Sequence, residues 1–327
     1  MKRRKVVALL GAAAGWPLAA RAQRSGSVPR LCFLTLDPGT MRTTRFDAFF
    51  RALSDLGYVD GRTIAIDYAS AEGRDERFPA LAAECLRREA DIIAVSTTPG
   101  AQAAKDATPT VPIVMLQLGD PVGTGLVDSL AKPGGNVTGL SQMTSDLAAK
   151  RLALLKEAVP GISRVLVLAY LADPIARLQV NALEDSARSL GVTLRVQDIK
   201  SVDDLPGAFD SGARERVDAL LVTVAAIFVV NRARVTGLAA RHRLPAMYPN
   251  RIQVTDAGGL MAYEPNVADL HGRAATYVDR ILKGAKPADL PVEQPTKFSL
   301  VVNLKAAAAI GLTIPESFQR RVDELIQ

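Results

Sequence analysis

Histidine and cysteine are scarce in this chain, with two of each among 327 residues. His242 and His271 each stand alone within a predicted helix, and the two cysteines lie far from both. Residues scattered in this way make no recognisable metal site. The sequence also contains no glycine-rich dinucleotide loop after its first predicted strand, no phosphate-binding loop and no serine nucleophile elbow. These absences argue against an enzyme, and we expect no metal and no cofactor.

The two cysteines, Cys32 and Cys85, fall inside apolar segments. Two packed thiols are the simpler interpretation, because free cysteine is commonly buried. An exported protein could instead join them, provided that the strand and the helix that carry them bring their Cα atoms within roughly 7 Å. The sequence leaves both states open.

Excess basic charge is confined to the start of the chain. The net charge is +6, from 40 Lys and Arg residues and 34 Asp and Glu residues. Five of the bases lie within residues 1–22, where there is no acid: Lys2, Arg3, Arg4, Lys5 and Arg21. Without them the chain has 35 basic and 34 acidic residues, a net charge of +1. We therefore expect no nucleic-acid partner.

Residues 1–22 have the three parts of a cleavable export signal: the basic start, an apolar stretch over 6–20 and a small-x-small site at 20–22. A retained membrane span would need roughly 20 apolar residues, whereas this stretch is shorter and is interrupted by Gly15 and Pro17. No cysteine lies directly after the cleavage site, so we expect no lipid anchor. The sequence predicts a soluble periplasmic protein, and the arginine pair at positions 3 and 4 leaves both the twin-arginine and the general export route open.

The remainder, about 300 residues, exceeds what one core usually holds, so two lobes are expected. From position 29 onward, short apolar runs alternate with amphipathic stretches, the pattern of parallel βα units. The predicted strands are 31–36, 63–68, 91–95, 112–117, 136–140, 164–169, 192–197, 217–223, 245–248, 258–263 and 298–302. The predicted helices are 42–56, 75–89, 99–107, 145–159, 173–190, 202–212, 231–242 and 266–283. The series restarts after residue 141, which predicts an α/β protein with two doubly wound, Rossmann-like lobes that bind ligand at the carboxyl ends of their strands.

In lobe one, polar segments follow the first, third and fourth strands, at 37–40, 96–100 and 118–121. In the middle segment, two threonines precede a proline in the first turn of a helix, whose N–H groups and positive dipole end would hold a carboxylate. An ordinary helix N-cap is the alternative interpretation. The candidate ligand residues of lobe one are Asp37, Thr40, Thr97, Thr98, Pro99 and Asp120.

In lobe two, aromatic residues follow or end several strands, although only 5% of the chain is aromatic. They could line a cleft for an apolar ligand group, or they could pack at a lobe junction. These residues are Tyr170, Phe228, Tyr248 and Tyr263. Three polar residues nearby could bind a polar ligand group or serve as caps or solvated residues: Asp173, Asn231 and Glu264. The candidates retained for this lobe are Tyr170, Asp173, Phe228, Tyr248 and Glu264.

Several blocks of sequence, in order, resemble the substrate-binding proteins of bacterial ABC transporters. The resemblance is to the branch with a type I periplasmic-binding fold that includes tryptophan and phenylalanine binders. Besides the signal, the blocks are VPIV at 111–114, GDPVG at 119–123, PGGNVTG at 133–139, NRAR at 231–234, HRLPAMY at 242–248, GGLM at 258–261 and ILKGAKPADLPVEQP at 281–295. The resemblance implies a three-segment hinge at 140–142, 261–264 and about 290–295. Lobe one then comprises 29–141 plus 264–292, and lobe two 142–263 plus 293–327, which corrects the division into consecutive halves.

The chain departs from its relatives after the eighth predicted strand, where residues 224–228 replace an Asp-Pro or Thr-Asp type of turn. Without a carboxylate in this turn, the chain lacks a group there that would bind a ligand α-amino group. Glu264 is a candidate to take the place of that carboxylate. The resemblance implies a monomeric receptor that closes on a small carboxylate-bearing ligand, an amino acid or aromatic acid, and delivers it to an ABC permease in the inner membrane. The alternative is a periplasmic ligand sensor that docks on a membrane signalling protein; an enzyme built on the same lobes is a third hypothesis.

Overall fold

A computed structural model of the chain describes residues 28–36 and 46–327. The export signal predicted for residues 1–22, together with the candidate ligand residues Asp37 and Thr40, lies outside the described residues. No helix within the described ranges combines the length and the apolar character needed to cross a bilayer.

Strands and helices alternate along most of the described chain. The strands are β1 (Arg30–Thr35), β2 (Ala65–Ser70), β3 (Ile92–Val95), β4 (Ile113–Leu118), β5 (Val137–Ser141), β6 (Arg164–Ala169), β7 (Thr193–Asp198), β8 (Ala219–Val222), β9 (Ala246–Tyr248), β10 (Met261–Pro265), β11 (Phe298–Asn303) and β12 (Glu324–Ile326). The helices are α1 (Asp47–Asp55), α2 (Phe78–Arg87), α3 (Thr98–Ala107), α4 (Thr144–Ala158), α5 (Pro174–Leu190), α6 (Leu205–Arg214), α7 (Ala226–Val230), α8 (Arg232–Arg241), α9 (Ile252–Thr255), α10 (Val267–Leu282), α11 (Leu304–Ala309) and α12 (Glu316–Gln319). Every predicted strand and helix has a counterpart in this series, with ends that differ by a few residues.

The strands form two sheets, which we call the sheets of lobe one and lobe two. The lobe-one sheet has five parallel strands in the order β2-β1-β3-β4-β5. The lobe-two sheet has seven strands in the order β12-β11-β10-β9-β8-β6-β7, in which only the β10–β11 pair is antiparallel. The prediction of two α/β lobes is confirmed.

Helices cover both faces of each sheet, which explains why the central strands read as continuous apolar runs. In lobe one, side chains of α2 and α3 pack on one face of the sheet, and those of α1 and α10 pack on the other. Helix α10 therefore packs on lobe one although it follows β10 of lobe two in sequence. The lobe boundaries by residue number remain our proposal, with β10 extending to Pro265 in the lobe-two sheet.

Two of the predicted crossover segments lie side by side. Leu140 and Glu293 form an isolated parallel bridge. The Ser141 N–H donates to the Glu293 carbonyl at 2.8 Å, and the Glu293 N–H donates to the Gly139 carbonyl at 3.0 Å. These bonds join two segments that each run from lobe one into lobe two, so a relative movement of the lobes would bend both segments together.

Cys32 of β1 and Cys85 of α2 are joined by a disulfide, with their Cα atoms 5.7 Å apart. The pairing links a central strand to a helix on its face and closes a loop with a sequence separation of 53 residues. Of the two states that the sequence left open, the structure has the bonded one.

Replacing both cysteines by alanine is expected to lower the free energy of unfolding by about 2–4 kcal/mol, because the open loop gains conformational entropy when the chain unfolds. Urea denaturation of the wild type and the double variant measures the difference. Wild-type protein treated with a thiol reductant under unfolding conditions should approach the variant. Equal denaturation midpoints for oxidised wild type and variant would contradict a stabilising disulfide.

Candidate ligand-binding cleft

A narrow cleft lies between the lobes, with a cavity volume of about 40 Å³ for the centres of water molecules. Both lobes contribute to its wall, chiefly through segments that follow strands β3, β4, β6, β8 and β9. Its lining comprises Ser96, Thr97, Thr98, Gln117, Leu118, Gly119, Gln142, Thr144, Asp173, Ile175, Val224, Ala225, Ala226, Val229 and Asn250. The carboxyl ends of the strands are where a doubly wound fold is expected to bind ligands.

On the lobe-one side, the N-terminus of α3 faces the cleft. Thr97 has extended backbone geometry, and its hydroxyl accepts the Gly100 N–H at 3.2 Å, so this threonine is the helix cap. Pro99 lies in the first turn and has no N–H. Among the hydrogen bonds between described residues, none engages the Thr98 hydroxyl, and this side chain is 6% exposed. The arrangement offers the hydroxyl of a largely buried residue and the positive end of a helix dipole to a bound anion.

Two buried polar atoms beside this turn have no hydrogen-bond partner among the described residues: Gln117 Oε1 and Thr144 Oγ1. Both residues line the cleft. A buried polar atom without a partner costs about 1–3 kcal/mol, so a polar ligand group that bonded to them would recover that energy. Neither residue was predicted from the sequence; a glutamine within the otherwise apolar β4 is the only signal for the first.

On the lobe-two side, Asp173 presents a carboxylate to the cleft. The residue is 7% exposed, and it caps α5 by accepting the Ile175 N–H at 3.0 Å. Burial raises its pKa from 3.8 to about 7; the Ile175 N–H opposes that shift, and the charge of Asp75 adds to it. No cationic side chain within residues 28–36 and 46–327 pairs with this carboxylate.

The rest of the lobe-two wall is aliphatic and is formed by Ile175 together with Val224, Ala225, Ala226 and Val229. The backbone of Val224 is held by the buried side chain of Gln179, which donates to its carbonyl at 2.9 Å and accepts its N–H at 2.7 Å. The short helix α7 that follows was not predicted from the sequence. This wall can accommodate an apolar ligand side chain.

The aromatic candidates of lobe two lie away from the described wall of the cleft. Phe228 and Tyr248 are buried in the core of lobe two, so both rings pack within that lobe and do not line the cleft. Tyr263 stacks on Phe298 across β10 and β11, with 5.9 Å between ring centroids. Tyr170 follows β6 at the junction of the lobes, where burial and then the negative charge of Asp75 from lobe one raise the pKa of its hydroxyl.

Asp120 joins the two lobes beside the cleft. It follows Gly119 in a left-handed conformation with φ of 33°, and its carboxylate accepts the N–H of Ser145 at 3.2 Å and also the Ser145 hydroxyl. Ser145 belongs to the first turn of α4, so a loop of lobe one caps a helix of lobe two. The bond holds the lobes at their present separation.

Glu264 and the candidate Asn231 lie outside the cleft lining. Glu264 is buried within lobe two, where its carboxylate accepts the Arg251 N–H at 2.9 Å. Burial lowers the pKa of the Arg151 guanidinium to about 10, and the negative charge of Glu264 opposes that shift. Asn231 donates to the Ile227 carbonyl at 2.9 Å at the end of α7. Asp173, rather than Glu264, presents a carboxylate to the cleft.

The lobes touch closely at Gly119. A Cβ atom at this position would lie 2.4 Å from Thr144 Oγ1 and 2.8 Å from Ile175 Cγ1, distances that real Cβ contacts do not show. Thr144 begins α4 and Ile175 lies in the first turn of α5, so both atoms belong to lobe two. A side chain at this position is therefore incompatible with the closed arrangement of the lobes.

Two α/β lobes connected by crossover segments and closed on a polar cleft define a solute-binding receptor with a type I periplasmic-binding fold. The chain belongs to the family of ABC transporter substrate binding proteins, whose sequence pattern matches residues 38–326. Membership of this family makes it a transport receptor rather than an enzyme, as the sequence predicted.

One relative in sequence is the tyrosine-binding protein of Clostridioides difficile strain R20291. It is 29% identical over 264 residues, which is 81% of this chain and 75% of that protein. Among solved structures, an ABC domain from Streptococcus pneumonia in complex with L-Trp has a TM-score of 0.83 at 26% identity, covering 92% of this chain and 100% of that chain. A ligand-free, open substrate-binding protein with adhesive properties from Clostridium difficile has the same identity and coverage but a TM-score of 0.65. The lobes of the present chain are thus arranged more like those of the ligand-bound relative.

Proposed function

We propose that this protein is the receptor of an ABC importer for an amino acid, which it binds between its closed lobes. The observation that carries the proposal is the buried carboxylate of Asp173, without a described cationic partner, in a cleft whose other side is a helix N-terminus. The ligand ammonium would bond to Asp173, and the ligand carboxylate would accept bonds at the Thr98 turn. Binding by both lobes would favour the closed state, as ligand-driven closure requires.

The polar atoms without partners support the same ligand. Gln117 Oε1 is an acceptor and can take a second hydrogen of the ammonium, while the Thr144 hydroxyl can donate to the carboxylate. The aliphatic wall from Val224 to Ala226 would contact the ligand side chain. Because one relative is a tyrosine-binding protein and another is bound to L-Trp, L-tryptophan and L-tyrosine are the first ligands to test.

A thermal-shift panel tests the proposal directly. Mature protein freed of carried-over ligand is mixed with each amino acid and with analogues that lack the amino or the carboxyl group. Ligand at about 100 times its dissociation constant should stabilise the protein by roughly 2.7 kcal/mol. The panel should show the largest shift with an intact amino acid and a smaller one with either analogue. No shift with any amino acid would contradict the proposed ligand class.

Replacing Thr98 by valine is expected to weaken binding of the carboxylate end by about 1–3 kcal/mol, because a buried hydrogen bond to a charged group is lost. Isothermal titration with L-tryptophan gives the change in affinity. The control is Thr276→Val, which removes an exposed hydroxyl on α10 and should leave the affinity unchanged. Unchanged affinity in the Thr98 variant would remove this turn from the site.

We further propose that the export signal directs the protein to the periplasm, where it acts as a monomer and delivers ligand to an inner-membrane permease. ATP hydrolysis by a reconstituted cognate ABC permease and its ATPase should rise when the loaded receptor is added. If the loaded receptor instead changed only the activity of a neighbouring sensor kinase, the signalling alternative would replace the transport proposal.

A further inference from the structure

We infer that Asn250 of lobe two is a specificity residue of the cleft. Its carboxamide bonds to a polar group at the far end of the ligand side chain, such as the hydroxyl of tyrosine or the indole N–H of tryptophan. The inference rests on the proposed function and deepens it, because it names the feature of the side chain that the cleft selects. L-Tyrosine is then preferred to L-phenylalanine, which has the same ring without the hydroxyl.

Asn250 lies in the turn that follows β9, and it lines the cleft. Its backbone N–H donates to the side chain of Gln253 at 3.3 Å. Among the hydrogen bonds between described residues, none engages the Asn250 carboxamide. A carboxamide has both a donor and an acceptor, so it can bond to a hydroxyl or to an N–H group of a ligand.

The order of the strands places Asn250 across the aliphatic wall from Asp173. Strand β8 pairs with β6 on one side and with β9 on the other. The segments that follow these parallel strands therefore lie in a row: Asp173 after β6, the aliphatic wall at 224–226 after β8, and Asn250 after β9. Neighbouring strands are about 4.8 Å apart, which places β9 about 10 Å from β6. An amino acid whose ammonium bonds to Asp173 can lie along this wall and direct the end of its side chain toward Asn250.

Three buried polar side chains hold the backbone of the turn over 249–251: Arg151, Gln253 and Glu264. They bond to the Pro249 carbonyl at 3.4 Å, the Asn250 N–H at 3.3 Å and the Arg251 N–H at 2.9 Å, respectively. A contact residue that is fixed in advance loses less conformational freedom when ligand binds. The turn is thus built to present Asn250 in one position.

The guanidinium of Arg151 also ties this turn to a crossover strand. Its Nε donates to the Tyr263 carbonyl of β10 at 2.7 Å, while another nitrogen of the same group bonds to the Pro249 carbonyl. Arg151 is 1% exposed, so both bonds are shielded from water. Asn250 therefore keeps its place relative to the crossover when the lobes move.

The selectivity arises because the closed cleft excludes water from the Asn250 carboxamide. Tyrosine supplies a hydrogen bond in place of that water, whereas phenylalanine supplies none and leaves the carboxamide without a partner. Selectivity is a difference between two binding free energies, and here the cost falls on the ligand without the polar group.

The test is isothermal titration of the wild type and Asn250→Leu with L-tyrosine and L-phenylalanine. Leucine is similar in size to asparagine but forms no side-chain hydrogen bond. We expect the wild type to bind L-tyrosine about fivefold more tightly or better, and the variant to lose that preference. Asn181→Leu is the matched control, because Asn181 is exposed on α5 outside the cleft lining, and it should keep the wild-type ratio. An unchanged ratio in Asn250→Leu would overturn the inference.

Circular dichroism checks the fold of the variant, and Asn250→Ala takes its place, with the same expected loss of preference, if Asn250→Leu does not fold. The outcomes separate the inference from the proposed function. If the wild type binds no amino acid in the thermal-shift panel, the proposed function fails and the inference fails with it. If amino acids bind but L-phenylalanine binds the wild type as tightly as L-tyrosine does, the proposed function stands and the inference is overturned. Tighter binding of an aliphatic amino acid than of L-tyrosine would overturn it as well.

Discussion

Asp173→Asn is expected to reduce the affinity for L-tryptophan by 2–5 kcal/mol, about 30-fold to several thousand-fold, because a buried charge pair with the ligand ammonium is lost. The fold should be retained, since asparagine can still accept the Ile175 N–H that begins α5. Isothermal titration measures the affinity, and circular dichroism checks the fold. Asp204→Asn is the control, since Asp204 belongs to a capping box in the same lobe and does not line the cleft. Equal losses in the two variants would contradict a specific role for Asp173.

The Asp173→Asn variant should also lack the pH dependence of ligand affinity that Asp173 is expected to give the wild type. Burial raises the pKa of Asp173 from 3.8 to about 7, so the ligand-free closed form is stabilised by the bound proton below about pH 4 and loses that stabilisation as the pH rises through 7. A bound ammonium favours the ionised carboxylate and lowers its pKa, so binding releases a proton within this window. Affinity for L-tryptophan should therefore rise between about pH 5 and pH 7, by at most tenfold per unit, and level off above that range. An affinity that fell with pH over this range, or a slope that persisted in Asp173→Asn, would contradict the assignment.

Gly119→Val is expected to prevent closure and to lower ligand affinity by about 100-fold or more, because a ligand held by one lobe loses the contacts of the other. The glycine has no Cβ to collide with Thr144 and Ile175 of lobe two, and its φ lies outside the left-handed region, so valine is excluded by the closed arrangement and not by the local backbone. Small-angle scattering should show that the wild type contracts when L-tryptophan is added and that the variant does not.

Gly135→Ala is the matched control for this effect. A Cβ atom at Gly135 meets nothing within 4 Å, so this variant should bind ligand and contract as the wild type does. If Gly119→Val contracted normally and bound ligand with wild-type affinity, the packing of Gly119 against lobe two would not describe the ligand-bound state.

Long periodic segments made the fold predictable. The alternation of apolar strands and amphipathic helices led to two α/β lobes, and the family resemblance indicated that α10 returns to lobe one. The elements missed were short: α7, α9, α11, α12 and β12 have between three and six residues each. Elements of this length carry too little periodicity to be read, and they form because tertiary contacts hold them. Helix α7 matters most, because it carries part of the cleft wall.

Part of the lining of the candidate cleft could be predicted from the sequence, and its role in ligand binding stays a prediction. Thr98 and Asp173 follow strands at the expected edge, and both line the cleft. The aromatic pattern was misleading, because Phe228 and Tyr248 also follow strands but turn into the core of lobe two. Position after a strand tells which edge of the sheet a residue is near, but not which way its side chain points. Gln117 and Thr144 could be found only from the structure, since their importance lies in the absence of a described hydrogen-bond partner.

A crystal structure of ligand-free protein soaked or co-crystallised with L-tryptophan, or with the amino acid that gives the largest thermal shift, tests the central claim most directly. We predict density for one amino acid between the lobes, with its nitrogen within about 3 Å of the Asp173 carboxylate and its carboxylate at the start of α3. An empty cleft, a ligand bound elsewhere, or a ligand carboxylate turned toward Asp173 would contradict the account.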